Sequence, residues 1–312
     1  MKKGYSLLLF SVLLAALAGL PALAQETVAE KEPWADYPER EVDRPVLPVK
    51  DGFRLELDVR SLSTDQALDE DGEAVDLDDA YQLLSAEISI EYGVARSFSV
   101  YGGLPYLLVE FNDTRGGGIG DAFIGCAYQP VANPRGSVAI GAHLSLPSGD
   151  PDYHYTIEDG ERVLDNVRTG DPGVNYYPII EGRLNAGPAS FRASAYYEIT
   201  GEGDVVYDKP FSREEDVAVD PGDGYGGTAA VYMQAASWLV FYGGVRHQQR
   251  GETEVDIDGE DLEDDYYLTE AMGGALFQVN DELDISVHGG VPIAGKNTPL
   301  GLSFNLGIIS RF

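Results

Sequence analysis

The chain has 312 residues, and its 53 acidic against 21 basic side chains give a formal net charge of −32 at pH 7. Such an acidic chain is a poor partner for nucleic acid, because phosphate contacts need clustered Lys and Arg. Cys126 is the one cysteine, which excludes an intrachain disulfide. The 19 tyrosines, 11 phenylalanines and 37 glycines favour a β-rich fold with tight turns.

The first 24 residues have the pattern of a secretory signal peptide. Lys2 and Lys3 precede an apolar stretch over 7–20, and Ala22-Leu23-Ala24 forms a small-x-small cleavage site. The apolar stretch is shorter than the roughly 20 residues of a spanning helix, and no later run of about 18 apolar residues offers one. We therefore exclude residues 1–24 from the fold and expect the remainder to be exported.

Residues 25–50 differ in composition from the rest of the chain. They are charged, contain four prolines and show no usable period, which predicts an N-terminal extension. If the rest of the chain is a membrane barrel, this extension lies in the periplasm. A plug folded up into the barrel lumen is the alternative.

The remainder has the pattern of a series of alternating strands. In the first, 53–62, apolar residues alternate with Arg54, Glu56, Asp58 and Arg60, because successive side chains of a strand point to opposite faces. The predicted strands are 53–62, 84–92, 97–111, 121–129, 137–146, 174–184, 189–200, 225–234, 238–248, 266–278, 283–293 and 300–312. They number about twelve, an even count as in single-chain bacterial membrane barrels.

Long and short connections alternate between these strands. Four long ones, which we interpret as loops, are rich in acid: 63–79, 148–173, 201–224 and 251–265. The short ones are 93–96, 131–136, 185–188, 235–237 and 280–282. This rhythm is typical of outer-membrane barrels, with long extracellular loops and short periplasmic turns. The acidic loops lack the full spacing of a calcium-binding loop, so we predict no dedicated metal site, only loose bridging by divalent cations.

The last strand ends on an aromatic residue. Leu302, Phe304 and Leu306 share one face with Phe312, whereas Arg311 lies on the other. This ending resembles the C-terminal strand of bacterial outer-membrane β-barrels, and the resemblance implies recognition of Phe312 by the barrel-assembly machinery and closure against the first strand. We therefore predict an all-β fold, a transmembrane antiparallel up-and-down β-barrel over residues 51–312 in the bacterial outer membrane, in contact with its lipid. A secreted or periplasmic β-sandwich is the alternative.

A glycine-rich segment, 116–128, is followed about one strand later by Leu144-Ser-Leu-Pro-Ser-Gly-Asp150. With 44–50, 103–106 and 289–312, these motifs resemble a family of outer-membrane channels named for the meta pathway of phenol degradation. Ser148 replaces that family's usual threonine. The resemblance implies a barrel that passes small aromatic or apolar compounds, and it carries no catalytic residues.

The same motifs have a structural explanation. Gly116 to Gly120 lets a tight loop enter a strand, Asp121 can accept backbone N–H bonds at its mouth, and Pro147 ends the fifth strand. We predict structural rather than binding roles for them. A nucleotide-binding loop is excluded because no Lys-Ser/Thr pair follows the glycines.

Catalytic patterns are weak. The four histidines, His143, His154, His247 and His288, show no metal-ligand spacing and no nucleophile elbow. His143 shares a face with Ser145, and His288 shares one with Ser286 and Asp284, which is common by chance. We therefore predict no enzymatic activity and no cofactor, and rank a barrel-embedded hydrolase last.

The strand count also predicts the function. Roughly eight strands leave an interior filled with side chains and about 16 leave an open pore, so about twelve predict a narrow lumen. We expect a passive channel for uptake or efflux of small solutes; a structural or receptor-type barrel with a closed lumen is the alternative. Ion pairs that only rigidify the barrel are an equally strong interpretation of the lining charges. The predicted lining residues are Arg54, Glu56, Asp58, Arg60, Glu87, Glu91, Arg192, Glu198, Asp284, His288 and Arg311.

Overall fold

The computed structural model describes residues 46–47, 50–111, 114–151, 155–158, 161–164, 169–207, 215–255, 261–263 and 265–312. The predicted signal peptide, most of the predicted extension or plug, and His154 lie outside the described residues. Within the part that is described, no helix is long and apolar enough to span a membrane.

The described chain forms twenty β-strands. They are β1 (Phe53–Leu68), β2 (Ala74–Ala95), β3 (Phe98–Phe111), β4 (Thr114–Ile119), β5 (Ala122–Asn133), β6 (Gly136–Leu146), β7 (Tyr155–Glu158), β8 (Glu161–Leu164), β9 (Asn175–Ala186), β10 (Ala189–Glu198), β11 (Gly203–Tyr207), β12 (Glu215–Asp220), β13 (Gly224–Ala236), β14 (Leu239–Arg250), β15 (Thr253–Val255), β16 (Asp261–Glu263), β17 (Tyr266–Gln278), β18 (Leu283–Lys296), β19 (Thr298–Pro299) and β20 (Leu302–Arg311).

Twelve of these strands form one closed antiparallel barrel. Its order around the wall is β1, β2, β3, β5, β6, β9, β10, β13, β14, β17, β18 and β20. Each of the twelve predicted strands coincides with one of them, so the predicted fold class is confirmed.

The barrel closes between its first and last strands, as predicted. β20 pairs with β1 from Arg54 opposite Arg311 to Ser63 opposite Leu302. Beyond Arg54 and Arg311, at the end of that ladder, Phe53 and Phe312 exchange two backbone hydrogen bonds of 3.0 Å each. No edge strand therefore remains among the twelve strands of the described wall, as a hydrocarbon environment requires.

The two faces of the wall differ in chemistry. On β20, Leu302 is 69% exposed and Phe304 54%, whereas Ser303 and Asn305 are 4% and 3% exposed on the inner side. The same alternation runs along β1, where Leu55 and Leu57 face outward. An apolar outer surface around a polar interior is the inverse of a soluble barrel, and it is the arrangement that a bilayer stabilises.

The connections at one end are short turns, as predicted. Arg96 and Ser97 join β2 to β3, Pro134 and Arg135 join β5 to β6, and Gly187, with φ of +62°, lies in the turn before β10. By the convention of outer-membrane barrels this end is periplasmic.

The prediction that all four long connections are loops is wrong in part. β1 and β2 continue into 63–79 and leave only a turn at 69–73, where Asp69 Oδ1 accepts the amides of Asp71 and Glu73. β7 pairs with β8, and β11, β12, β15 and β16 form a second sheet. Strands beyond the bilayer have no face in contact with lipid, so their sequences lack the alternation that identifies a membrane strand.

The structure also corrects the prediction for the glycine-rich segment. Residues 114–119 are not a tight loop: they form β4, which pairs with the second half of β3, from Tyr106 opposite Ile119 to Phe111 opposite Thr114. β5 pairs with the first half of β3, and the register shifts by one residue at Gly120 and Asp121, between the two ladders.

Asp121 has the predicted role at this shift. Its Oδ1 accepts the amides of Ser148 at 3.1 Å and Gly149 at 2.9 Å, and its Oδ2 accepts the amide of Asp171 at 2.7 Å. The Thr169 hydroxyl donates to the Ile119 carbonyl at 3.0 Å and accepts the Asp150 amide at 2.9 Å. Together these bonds attach both ends of the connection between β6 and β9 to the barrel rim.

Candidate functional site

Val46 and Leu47, which precede β1 in the chain, contact the inner wall of the barrel. The Leu47 amide donates to Gln129 Oε1 at 3.3 Å, and the Arg54 guanidinium donates to the Val46 carbonyl at 3.1 Å. The Leu47 side chain is buried against Ala127 and Ala139. Val46 and Leu47 thus lie inside the barrel, in contact with its inner wall.

Two cavities adjoin Val46 and Leu47. One, of about 350 Å³, extends towards β10, β13, β14 and β18, and the other, of about 240 Å³, lies against β2, β3, β5 and β6. Val46, Leu47, Arg54 and Glu181 line both. The two cavities therefore adjoin the same four residues, of which Glu181 is acidic.

All the predicted lining residues face the interior. The larger cavity is lined by Arg54, Glu56, Asp58, Arg192, His288 and Arg311. The smaller cavity is lined by Arg54, Glu87 and Glu91. Arg60, Glu198 and Asp284 are held in ion pairs within the barrel. Alternation along single strands was enough to find them, because in a closed barrel each strand has one inner face.

Several of these charges form pairs. Arg54 lies 2.5 Å from Glu91 Oε2, and the Ser99 hydroxyl donates to Glu91 Oε1 at 2.5 Å. Arg311 is paired with the fully buried Asp284. Such pairs fix the wall, as the structural interpretation of the lining charges expects.

Deeper in the lumen, Arg60 belongs to a triad whose other two members were not predicted from the sequence. Glu270 is 2% exposed, binds Arg60 at 3.3 Å and is paired with Arg246. Ser303 also reaches Glu270, at 3.4 Å. The triad joins β1, β14 and β17 across the interior, and the Ser303 contact adds β20.

A second network closes over the lumen near the long connections. Arg250 lies 3.0 Å from Asp171 and 3.8 Å from Glu198. Glu198 accepts the Tyr177 hydroxyl at 2.5 Å, and Asn175 donates to Asp171 at 2.5 Å. Of this network, the sequence indicated Glu198 alone, since the other members come from strands or connections whose spatial proximity only the fold reveals.

One wall of the lumen carries aromatic side chains. Tyr101, Phe123, His143, Tyr177 and Tyr196 project inward from five consecutive barrel strands, and we call them the aromatic arc. His143 stands at its centre, with ring centroids 5.3 Å from Phe123, 6.2 Å from Tyr101 and 4.4 Å from Tyr177. The Tyr177 and Tyr196 centroids are 6.3 Å apart.

Glycines make room for the aromatic arc. A Cβ at Gly103 would lie 2.4 Å from the Phe123 ring, and one at Gly125 would lie 2.6 Å from both His143 Cβ and the Tyr101 ring. Inward-facing glycines beside inward-facing aromatic residues are the sequence signal for this wall. The composition predicts twisted strands and tight turns but not which rings meet, so the sequence alone does not identify the aromatic arc.

The histidine and hydroxyl pairs do not assemble into a catalytic arrangement. Asp284 binds Arg311 rather than His288, and His143 packs among rings. Among the residues that the structure describes, no group of three or more His, Cys, Asp or Glu side chains is placed to hold a metal ion.

A closed twelve-stranded barrel with an apolar outer face and a charged, partly aromatic interior defines the class of protein: it is a bacterial outer-membrane β-barrel. Within that class, the chain belongs to the family described as "Putative MetA-pathway of phenol degradation", which matches residues 72–308. The family resemblance of the sequence motifs is thereby confirmed.

Solved structures share this fold. An outer membrane channel from Pseudomonas putida F1 is 16% identical, with a TM-score of 0.69 over 91% of this chain and 100% of that one. The β-domain of the Bordetella autotransporter BrkA is 12% identical, with a TM-score of 0.47 over 84% and 100%. The translocator domain of NalP from Neisseria meningitidis is 11% identical, with a TM-score of 0.47 over 96% and 97%. The first shows the fold, and the other two carry no further conclusion. No curated protein matches the chain.

Proposed function

We propose that this protein is a narrow passive channel for uptake or efflux of small uncharged compounds, aromatic ones among them, across the outer membrane. The observation that carries the proposal is the contrast inside the lumen. Three rings of the aromatic arc line the smaller cavity, of about 240 Å³, whereas charged side chains together with Tyr232, Tyr242 and His288 line the larger one, of about 350 Å³. Pores of this kind select by width and by the groups that line them, and an aromatic wall offers favourable contact to apolar solutes.

The similarity to an outer membrane channel from Pseudomonas putida F1 and the family membership support this proposal. We propose no catalytic role, in keeping with the pairing of Asp284 by Arg311. The charged lining residues then act mainly through their ion pairs, which shape the passage and keep the inner wall rigid.

Liposome swelling tests the channel directly. Liposomes containing the mature protein should swell in small neutral solutes and should exclude larger sugars. Anions should pass less readily at low salt than at high salt, since salt screens the acidic outer surface. Absence of any permeability would favour the alternative, a structural or receptor-type barrel with a closed lumen.

We further propose that the segment before β1 is a plug rather than a periplasmic extension. Leu47 contacts the inner wall at the point where the two cavities meet. Replacing Leu47 by alanine should join the cavities and raise single-channel conductance by roughly twofold, because the narrowest point of a pore limits conduction. Planar-bilayer recordings measure this.

Leu57→Ala is the matched control for that measurement. Leu57 loses the same side-chain atoms but faces lipid, so its substitution should leave the conductance unchanged. An unaltered conductance in Leu47→Ala would mean that the constriction lies elsewhere and would contradict the plug.

Phe312 has the position of an assembly signal. It lies at the seam between β20 and β1, with 69% of its side chain exposed on the outer face. We propose that the assembly machinery recognises this ring, and that Phe312→Ser reduces the folded fraction in the outer membrane several-fold while refolding in detergent stays normal. The heat-dependent gel shift of fractionated membranes measures the folded fraction, and equal amounts of folded wild type and variant in cells would refute the role.

Loose bridging of the acidic outer strands by divalent cations also remains a proposal.

A further inference from the structure

The smaller cavity combines two kinds of wall. On one side lie three members of the aromatic arc, Tyr101, Phe123 and His143. The carboxylates of Glu87, Glu91 and Glu181 come from β2 and β9, the strands that flank those rings, and the remaining surface comes from Leu47, Ala127 and Ala139 among others. The cavity therefore combines an aromatic wall with hydrogen-bond acceptors on the strands at both edges of that wall.

The rings are held in place before any ligand arrives. Tyr101 meets His143 edge to face at 86°, and Phe123 and His143 are tilted by 38° at a centroid distance of 5.3 Å. Gly103 and Gly125 carry no side chain where these rings pack. A preformed wall of this kind binds a planar ligand without an entropic cost of ordering the site.

Only some of the hydrogen-bond acceptors in the smaller cavity are bound by protein groups. Glu91 is held by Arg54 and Ser99. Within the described part of the chain, Glu87, Glu181, the Tyr101 hydroxyl and the His143 ring nitrogens have no hydrogen bond, and Glu181 is exposed to the lumen. These groups can accept a hydrogen bond from a ligand lying against the rings.

We infer that this cavity is a binding site for a single aromatic ring that carries an uncharged hydrogen-bond donor, a hydroxyl or an amino group. The ring would lie against Phe123 and His143, and its donor would bind Glu87 or Glu181. A cavity of roughly 150 Å³ holds benzene in an engineered protein, so 240 Å³ accommodates one substituted ring. The inference deepens the proposed channel function, on which it rests, by naming the class of solute.

The same geometry disfavours aromatic acids. A ligand carboxylate would face three protein carboxylates, and the guanidinium in this cavity, that of Arg54, is already bound by Glu91 and by the Val46 carbonyl. Aliphatic alcohols of equal size would keep the hydrogen bond but lose the ring contacts. The site therefore requires both the ring and the donor.

Calorimetric titration of the full mature protein in nanodiscs tests the site, with empty nanodiscs subtracting partition into lipid. The probes are 4-methylphenol, 4-methylbenzoate and 4-methylcyclohexanol. We expect 4-methylphenol to bind on the order of tenfold more tightly than either of the others, because a buried unpaired or like-charged group is costly. Equal affinity for all three probes, or no heat above the empty-disc control, would overturn the inference.

Variants assign the site within the lumen. Phe123→Leu should lower the affinity for 4-methylphenol about three- to tenfold, because the substitution removes one aromatic contact. Tyr128→Leu removes a ring from the same strand on the lipid-facing side and should bind like wild type. Glu181→Gln should reduce the ratio of the affinity for 4-methylphenol to the affinity for 4-methylbenzoate. Equal weakening by Phe123→Leu and Tyr128→Leu would place the binding in lipid and refute the site.

Swelling measurements separate this inference from the channel itself. Permeable liposomes without selective 4-methylphenol binding would leave the channel standing and reject the aromatic site. Selective binding by an impermeable protein would keep the site and reject the channel. Both results are obtained from the same protein preparation, so protein quality cannot explain a difference between them.

Discussion

Substitution of Glu270 by glutamine is expected to lower the free energy of unfolding of the barrel by about 3 kcal/mol, the lower part of the range for breaking a buried ion pair. Glu270 is 2% exposed and compensates both Arg60 and Arg246. Without its charge, two guanidinium groups remain close together in a poorly solvated interior. Urea titration of the refolded protein, followed by the gel shift between unheated and boiled samples, measures the loss.

Two further variants establish that the charge network is the cause. Glu70→Gln removes an exposed acid at the tip of the β1–β2 hairpin and should leave the urea midpoint unchanged. Combining Glu270→Met with Arg60→Met and Arg246→Met should restore much of the stability, since replacing a whole buried ionic group by apolar residues is often neutral. If Glu270→Gln unfolds at the wild-type midpoint, the triad does not stabilise the barrel.

The sequence predicts the wall of this barrel well because the bilayer imposes a strict period on it. Leu55 and Leu57 must meet lipid while Arg54, Glu56 and Asp58 must not, so the alternation of β1 specifies both the strand and its inner face. The strands beyond the bilayer lack this constraint. Val205 and Val219 are buried in the second sheet, but the acidic residues around them conceal the pattern.

Which lumen residues meet cannot be predicted from single strands. Arg60 and Glu270 are 210 positions apart, and Arg250 and Asp171 are 79 apart. Each pair depends on the stagger of strands around a closed wall, which local sequence does not encode. The aromatic arc is an intermediate case, because each ring lies at an inward position but their contacts depend on glycines of neighbouring strands.

Replacing Asp121 by alanine should release both ends of the connection between β6 and β9 while the barrel remains folded. The Asp121 carboxylate accepts three backbone amides, from Ser148, Gly149 and Asp171. Hydrogen bonds to a charged acceptor contribute about 1.5–3 kcal/mol each, so their joint loss exceeds the roughly 1.4 kcal/mol that corresponds to a tenfold change in local opening. We expect hydrogen exchange of the amides at 148–149 and 171 to accelerate more than tenfold.

The bonds of Asp121 act locally, so the urea midpoint of the barrel should change far less than in Glu270→Gln. Asp65→Ala is the matched control, because Asp65 is an exposed aspartate of β1 without a hydrogen bond in the described part of the chain. Faster cleavage by a protease within 148–173 in Asp121→Ala alone would support the attachment. Wild-type exchange at 148–149 would show that Ser148 and Thr169, whose hydroxyls bind the carbonyls of Gly120 and Ile119, hold the connection without the carboxylate.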